Sequence, residues 1–323
     1  MAIFELIQNK ADNRTKAIIP KNIFNTWNEI PNEEKLAEIK ENIIHRNPGW
    51  NFYLFDSQGR QHFIKKHFSK RVNEAYNFII PGAYQADFFR YCVLYVYGGL
   101  YLDLGIYTLS SLDNFIDQID APFISVRDQR KKRIYNAIIC SIPKHPFLKT
   151  VINLVTDNAH KGFYGSSDLD PTGPGALGKA INMTLGKRAL SPFRLGYQAS
   201  AKHRFYLLDF YKKIDNQKAI FHEKRAIFTQ KVRLKEEHSE QLKHINYHYC
   251  WENDNIYTHG KVQRPINKPP LSLLRREYNS GNIKNARRIF NSFLKQRYFN
   301  FSMFIIAGRS EIKYLFSKTK DNT

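Results

Sequence analysis

Cysteine is scarce in this chain, with only 3 among 323 residues. The three positions, Cys92, Cys140 and Cys250, are odd in number and far apart. Such spacing excludes a disulfide framework of the kind that staples small secreted domains. We therefore expect a protein of a reducing compartment, the cytoplasm.

Long apolar runs are also missing. No stretch approaches the roughly 20 consecutive apolar residues that a membrane-spanning helix needs. Residues 1–16 contain no apolar segment of signal-peptide length. Because 42% of the residues are hydrophobic and 14% aromatic, the chain still has ample material for a folded core. We expect any membrane contact to be peripheral, on the inner face of the membrane.

Acidic residues are few, since 29 Asp and Glu stand against 50 Lys and Arg, a net charge of +21. Such an excess predicts an anionic partner, which is a nucleic acid, an acidic membrane surface or an acidic substrate. The chain has no recognisable nucleic-acid-binding motif, no P-loop and no Gly-x-Gly-x-x-Gly fingerprint. Nucleic-acid binding is therefore the weakest interpretation of the charge, and we expect no nucleic-acid partner.

Strand-like and helix-like hydrophobic spacings alternate along the chain, as in Asn51–Phe55 followed by residues 57–68. This alternation predicts an α/β domain with a mainly parallel central sheet. We place that domain at residues 1–262, because prolines at 265, 269 and 270 mark a linker.

Residues 263–323 are then expected to form a basic helical C-terminal segment. Residues 261–323 hold 14 Lys and Arg against 3 Asp and Glu, a net +11. Ile283, Ala286, Phe290 and Phe293 follow helical spacing among these basic residues. A basic amphipathic helix of this kind lies on an anionic membrane surface or packs on the main domain, and the sequence leaves both open.

One apolar stretch, residues 84–97, has the pattern of a buried helix and yet carries Asp87 and Arg90. Their i, i+3 spacing puts both on one side of the helix. A double glycine and a short strand ending in Asp103 follow. Because buried charges are costly unless paired or bound, the pattern predicts either a polar site or an internal salt bridge with Asp103 as a turn residue.

Five sequence elements occur in the order seen in one enzyme family. They are Ile19-Pro20-Lys21-Asn22-Ile23-Phe24-Asn25-Thr26-Trp27, Asn47-Pro48-Gly49-Trp50, Ala86-Asp87-Phe88-Phe89-Arg90-Tyr91, Gly98-Gly99-Leu100-Tyr101-Leu102-Asp103 and the weaker Gly173-Pro174-Gly175-Ala176-Leu177. With them the chain resembles the retaining sugar-nucleotide glycosyltransferases with an Asp-x-Asp (DXD) motif. That family-32-like group contains initiating mannosyltransferases and capsule and lipopolysaccharide transferases. The resemblance covers about residues 17–260, and the Asp-x-x-Arg helix followed by Gly-Gly-x-Tyr-Leu-Asp is its specific part.

The resemblance implies a GT-A-like nucleotide-binding domain that moves a hexose from a UDP- or GDP-sugar to a glycan or lipid-linked glycan, in cell-surface polysaccharide or lipopolysaccharide synthesis. By the matching positions, the expected catalytic residues are Asp103, Asp87 and Arg90. The expected donor-binding residues are Thr26, Trp27, Gln85, Asp87, Arg90, Tyr101, Asp103 and Gly105. Gly173, Pro174 and Gly175 are expected in the wall of the acceptor or donor site. Trp27 is expected to stack on the donor base, and the alternative for it is a core tryptophan.

The chain departs from this family at Gly105, which stands where the motif has its second aspartate. That aspartate is the closer metal ligand in the family, so we expect weakened binding of the Mn²⁺ or Mg²⁺ cofactor. Asp103 stays a candidate metal ligand, with His248 or His259 as replacements for the missing one. Alternatively, the enzyme works with little or no metal, or the chain is an inactive relative. A toxin-like transferase that modifies a protein is a further alternative.

Overall fold

The structure is a computed structural model, and it describes residues 3–7, 19–29, 31–199, 203–214, 217–230 and 246–264. In chain order the strands are β1 (Ile3–Ile7), β2 (Asn22–Thr26), β3 (Asn51–Phe55), β4 (Gly99–Leu102), β5 (Ile106–Thr108), β6 (Phe123–Arg127), β7 (Ile134–Ser141), β8 (Gly196–Ala199), β9 (Arg204–Ile214), β10 (Gln217–His222) and β11 (Arg225–Gln230). The helices are α1 (Glu33–Ile39) with a π-helical turn after it (Lys40–Ile44), α2 (Ser57–His67), α3 (Lys70–Phe78), α4 (Gly82–Tyr97), α5 (Asp113–Ile116), α6 (Pro146–Lys161), α7 (Pro174–Thr184) and α8 (Tyr247–Glu252). The described part of the chain is thus a mixed α/β structure, as the alternating spacings predict.

The strands of the described residues form one sheet in the order β1-β3-β2-β4-β7-β6-β9-β10-β11-β5, with β8 paired to β9. Three pairs are parallel, namely β2 with β3, β2 with β4 and β6 with β9. The other seven pairs are antiparallel. The predicted mainly parallel sheet is therefore wrong. Hydrophobic spacing does not encode strand direction, and the short connections from β6 to β7 and from β9 to β11 suit only antiparallel neighbours.

Strands β4 and β5 are far apart in the sheet order although only residues 103–105 join them. Because so short a link reaches at most about 14 Å, the sheet must curl until its β5 edge returns towards β4. The chain turns at this point, and the amide of Ile106 donates to the carbonyl of Asp103 at 2.9 Å. The chain therefore forms two strands here, and Asp103 lies in the turn between them.

Two hydrophobic cores flank the sheet. One joins α2, α3, α4, α6 and α7 to one face and contains Phe89, Tyr101 and Leu177. The other covers the opposite face and contains Ile43 and Leu102. Tyr101 and Leu102 are neighbours in β4, so they belong to different cores because strand side chains alternate between faces.

A glycine pair leads from α4 straight into β4. Gly98 and Gly99 have φ angles of 64° and 111°, which favour glycine. A Cβ on Gly99 would lie 2.5 Å from the carbonyl oxygen of Asn22 in β2, so no side chain fits there. This turn places the charged residues of α4 beside the end of β4.

None of the helices among the described residues is long and apolar enough to cross a bilayer. Cys92, Cys140 and Cys250 are buried and form no disulfide. The predicted linker and the basic helix after it fall in residues 265–323, outside the described residues.

Candidate functional site

Asp87 and Arg90 form the predicted ion pair on the inner side of α4. Oδ1 of Asp87 lies 3.0 Å from Nη2 of Arg90, and the two side chains are 13% and 4% exposed. Asp87 also accepts hydrogen bonds from the amide of Asn136 and the hydroxyl of Thr172, each at 2.8 Å. Three donors thus surround this carboxylate, which offsets the penalty of burying it.

Arg90 continues the contacts outward to Asp103. Its Nη1 lies 3.3 Å from Oδ1 of Asp103, whose side chain is 42% exposed. The same Nη1 donates to the carbonyl of Asn136 at 2.8 Å. The guanidinium also lies 4.6 Å from the ring centroid of Tyr101, whose hydroxyl donates to Oδ1 of Asp103 at 3.2 Å. Asp87, Arg90 and Asp103 therefore form a trio that runs from the core to the surface.

Burial and pairing set the charges of the trio. Burial raises the pKa of Asp87, and the Arg90 guanidinium with hydrogen bonds from Thr172 and Asn136 opposes that rise. Burial by itself would lower the pKa of Arg90, but Asp103, Tyr101 and Asp87 outweigh it and raise that pKa. Arg90 therefore holds a positive charge beneath the exposed carboxylate.

The predicted wall lies against Asp87. Gly173 caps the start of α7, and Pro174 is the first residue of that helix. A Cβ on Gly173 would lie 3.1 Å from Oδ2 of Asp87, the oxygen that accepts from Thr172. Gly175 instead packs on the preceding loop, where a Cβ would lie 2.9 Å from the carbonyl oxygen of Leu169. The structure thus brings Gly173 to the trio and gives Gly175 a packing role.

His248 lies on the short helix α8. Its Nδ1 lies 2.9 Å from Oδ2 of Asp168, and its Nε2 lies 3.5 Å from Oε1 of Glu252. Asp168 belongs to the loop that leads into Gly173. The structure therefore ties His248 to the wall loop.

His259 has a different environment. Its Nε2 lies 2.7 Å from the carbonyl oxygen of Ala159, and its Nδ1 accepts from the amide of Lys261 at 3.0 Å. Its ring also packs against Phe78 and Tyr257. Both ring nitrogens are engaged with backbone, which counts against a role as metal ligand.

Few of the side chains that the structure describes near Asp103 could act as ligands of a divalent metal ion. Among the described residues no group of three or more His, Cys, Asp or Glu is arranged to hold a metal ion. No atom of the described residues lies within 4 Å of the place where a Cβ of Gly105 would stand, so none of their side chains fills the position of the missing carboxylate. Mg²⁺ is often held by one or two carboxylates together with substrate phosphates. Asp103 matches part of such a set, and the described side chains do not complete it.

The expected nucleotide end of the site lies after β2. Trp27 follows this strand and is 41% exposed, so it is not a core tryptophan. The Thr26 hydroxyl is buried, donates to the Phe55 carbonyl at 2.7 Å and accepts from Arg60 at 2.6 Å. The Gln85 amide donates to a backbone carbonyl at 2.8 Å. Trp27 is thus the residue of this group that presents a large surface to solvent.

Arg60 on α2 is a buried cation that the motifs do not include. It is 1% exposed. Besides the Thr26 hydroxyl, it donates to the carbonyl of Trp27 at 2.8 Å, to Oδ1 of Asn28 at 3.2 Å and to the hydroxyl of Tyr76 at 3.2 Å. All these acceptors are neutral, and no carboxylate of the described residues pairs with Arg60. Its contacts fix the segment that carries Trp27.

Three residues of the site escape motif analysis. Asn136 is a polar residue inside an apolar strand, a signal that marks a buried polar group. Arg60 precedes the buried Phe63 and Ile64 by one helical turn, so spacing places it on the buried face. Thr172 lies in a loop and carries no local signal.

Comparison with known proteins gives a match to one family model. Residues 33–121 match the family model described as a glycosyltransferase sugar-binding region containing a DXD motif. That stretch contains Asp87, Arg90 and Asp103.

Several relatives match part of the chain. Inositol phosphoceramide mannosyltransferase 2 of Schizosaccharomyces pombe is 30% identical over 144 residues, 44% of this chain and 40% of that protein. The uncharacterized glycosyltransferase L373 of Acanthamoeba polyphaga mimivirus is 30% identical over 134 residues, 40% of this chain and 52% of that protein. The initiation-specific alpha-1,6-mannosyltransferase of Candida albicans is 28% identical over 103 residues, 30% of this chain and 27% of that protein. The chain thus spans about half or less of the length of these curated relatives.

Among solved structures, the PaToxG glycosyltransferase has a TM-score of 0.41 and 17% identity, covering 52% of this chain and 70% of that one. A TM-score this low carries no argument about a shared fold. The family model and the relatives support a glycosyltransferase.

Proposed function

We propose that this chain is a retaining glycosyltransferase that moves a hexose from a nucleoside diphosphate sugar to a glycan or lipid-linked acceptor. The observation that carries the proposal is the Asp87–Arg90–Asp103 trio, in which one guanidinium links a buried carboxylate to an exposed one. The glycosyltransferase match over residues 33–121 supports it. We assign residues 1–262 to a GT-A-like domain and assign retention from the resemblance alone.

Each part of the donor then has a partner. Trp27 takes the base, because an exposed ring at the carboxyl end of a strand suits a nucleotide in an open α/β sheet. Asp103 presents the exposed part of its carboxylate to the ribose hydroxyls. Arg90 places positive charge close to the diphosphate. Asp87, whose carboxylate lies beside Gly173, faces the sugar hydroxyls.

Breaking the anomeric bond leaves negative charge on the diphosphate. Arg90 is suited to stabilise that charge, because its guanidinium is held in place before the reaction by Asn136, Asp87 and Asp103. A Mn²⁺ or Mg²⁺ ion, when bound, would neutralise the same charge. We expect this contribution to be weaker than in enzymes with two carboxylates.

The names of the relatives narrow the acceptor and the sugar. The fission-yeast relative is named for an inositol phosphoceramide acceptor and for mannose, and the Candida relative is also named for mannose. We therefore place mannose and a lipid acceptor first, and keep polysaccharide or lipopolysaccharide acceptors as the second choice. The basic residues 263–323 would then attach the protein to an anionic membrane surface.

A thermal-shift screen of the whole chain with UDP- and GDP-sugars, each with and without Mn²⁺, tests the donor. A ligand at 100 times its Kd stabilises a protein by about 2.7 kcal/mol, which gives a clear shift. Stabilisation by one nucleotide sugar, followed by release of its nucleoside diphosphate with a mannosyl or glycan acceptor, supports the proposal. Binding without turnover identifies an inactive relative, and no binding of any nucleotide sugar contradicts the proposal.

A further inference from the structure

A surface at the far end of α7 combines exposed apolar and basic side chains. Met183, Leu190 and Leu195 are 48%, 65% and 39% exposed. The exposed basic residues around them are Lys187, Arg188 and Arg194 after α7 and Arg130, Lys131 and Lys132 in the turn between β6 and β7. We call these nine residues the α7–β8 surface.

Hydrogen bonds hold this surface in place. The amide of Phe193, a residue that is 4% exposed, donates to the carbonyl of Lys131 at 2.7 Å and joins the two segments. The side chain of Asn182, 1% exposed, donates to the carbonyls of Ala189 at 3.2 Å and Ser191 at 2.9 Å. Both backbone neighbours of Leu190 are thus anchored while the Leu190 side chain remains in solvent.

The charge of the surface is strongly positive. Residues 171–208 contain no Asp or Glu, and the turn at residues 128–133 contains one acid, Asp128, whose Oδ1 accepts from the amide of Arg130 at 2.8 Å. Six exposed cations therefore surround three exposed apolar side chains, with a single acid in their own segments. Long Lys and Arg side chains beside aliphatic tips suit a fluid interface, where cations meet anionic headgroups and aliphatic groups enter the acyl boundary.

We propose that the α7–β8 surface docks this protein on an anionic lipid bilayer. A folded protein partner is less favoured, because isolated aliphatic tips among flexible cations do not form a shaped apolar recess. Helix α7 starts at Pro174, directly after its cap Gly173, and has 11 residues. At about 1.5 Å per residue it places the docked end roughly 16 Å from the wall beside Asp87. Docking by this surface needs no catalytic step and is separate from any attachment by residues 263–323.

The test is co-sedimentation of the full chain with phosphatidylcholine vesicles that do or do not contain phosphatidylserine. The test variant is Lys187→Glu with Arg188→Glu, and a second variant is Leu190→Ser. The matched control is Lys65→Glu with Lys66→Glu on α2, which makes the same charge change at exposed positions. Helices α3 and α6 lie between α2 and α7, so the control leaves the proposed surface intact. Circular dichroism melting checks that each variant is folded.

One basic residue near an anionic surface contributes a factor of about five in binding. The double reversal at residues 187 and 188 should therefore weaken binding to the anionic vesicles at least tenfold, while the control pair keeps most of it. Leu190→Ser should weaken binding and leave its salt dependence unchanged. Equal weakening by both charge pairs would show a net-charge effect and overturn the proposal. Undiminished binding of the test variant or equal binding to neutral vesicles would also overturn the proposal. If the unmutated chain does not bind vesicles at all, the proposal is likewise overturned, and the surface would then be assigned to a protein partner.

Discussion

Nη1 of Arg90 on α4 lies 3.3 Å from Oδ1 of Asp103, which stands in the turn after β4. Arg90 is 4% exposed and Asp103 is 42% exposed, so this ion pair connects the core to the surface. The Asp103 carboxylate is therefore positioned by α4 as well as by its own strand. A change at either residue is expected to act on the other.

Asp103→Ala should abolish sugar transfer and leave the fold intact. Arg90 keeps Asp87 as its partner when Asp103 is removed, so the loss of stability should stay well below the about 3–5 kcal/mol of leaving a buried charge unpaired. The rate of sugar transfer should fall to background, because the variant lacks the carboxylate that we propose faces the donor. Transfer rate and urea unfolding are measured together, with Asp117→Ala, at an exposed position on the same chain, as the control. Full turnover by a folded Asp103→Ala protein would show that the site is assigned wrongly.

Asp87→Ala and Arg90→Ala should each lower the free energy of unfolding by about 3–5 kcal/mol, because each leaves the other charge buried without its partner. The control is the pair Arg71 and Asp157, 2.8 Å apart and 52% and 50% exposed. Breaking that pair should cost about 1 kcal/mol or less. Urea denaturation measures all of these variants.

Both changes at residues 87 and 90 should also weaken binding of the nucleotide sugar. A double variant that is still folded and binds the donor as before would reduce the Asp87–Arg90 pair to a structural role.

Gly105→Asp should tighten Mn²⁺ binding. The residue is not among the glycines with positive φ, and in the part of the chain that the structure describes no atom lies within 4 Å of a Cβ at this position, so a side chain fits there without strain. The new carboxylate would restore the second oxygen ligand of the motif. Isothermal titration with Mn²⁺ compares the Gly105→Asp protein with a Gly105→Asn control, whose new side chain has nearly the same size and no charge. Tight Mn²⁺ binding by the unmutated chain would contradict the expected weak site and direct attention to His248.

Arg60→Lys should weaken binding of a nucleoside diphosphate by acting through Trp27. Lysine keeps the positive charge but cannot reach the carbonyl of Trp27 and the side chains of Thr26 and Asn28 together. In a double-mutant cycle, Arg60→Lys should therefore have little further effect on the Kd once Trp27→Ala is present. Tyr76→Phe is the control, since it removes the Arg60 acceptor outside the Trp27 segment.

Two other outcomes of this cycle have separate meanings. Additive effects of Arg60→Lys and Trp27→Ala would show that Arg60 does not act through Trp27. A Trp27→Ala protein that binds the nucleotide normally would instead remove Trp27 from the donor site.

Acidification should destabilise the protein through His145. This residue is 2% exposed and its Nδ1 accepts from the amide of Phe147 at the start of α6. Burial, with a smaller contribution from His203, lowers the pKa of His145 to about 4. An unfolded histidine has a pKa of about 6.5, so between these values the unfolded chain binds more protons. Stability is therefore lost as the pH falls through this window, by about 3 kcal/mol in total.

His145→Asn keeps an acceptor at the cap and removes the titrating ring. Its free energy of unfolding, measured by urea at several pH values in this window and above it, should vary less with pH than that of the unmutated chain. An unchanged pH dependence would assign the acid sensitivity to other groups.

Local sequence spacing was enough to predict the helix with the Asp87–Arg90 pair and the short strand that follows the double glycine. Helical spacing places residues three apart on one side of a helix. Because the other residues of α4 are mostly apolar, the helix is expected to be buried on that side too. The double glycine signals a backbone that other residues adopt only with strain. These features depend on residues close together in the chain, so the sequence alone determines them.

Strand direction, the curl of the sheet and the neighbours of the trio were decided by the tertiary structure. Asn136 and Thr172 reach Asp87 from β7 and from the loop before α7, 49 and 85 residues away. Arg60 reaches the Trp27 segment from α2, 33 residues away. Whether a polar side chain meets a distant partner or water depends on how the elements pack, and no local period encodes that packing. The sequence therefore determined that Asp87 and Arg90 are buried together, and only the packing of distant elements decided which other groups share their site.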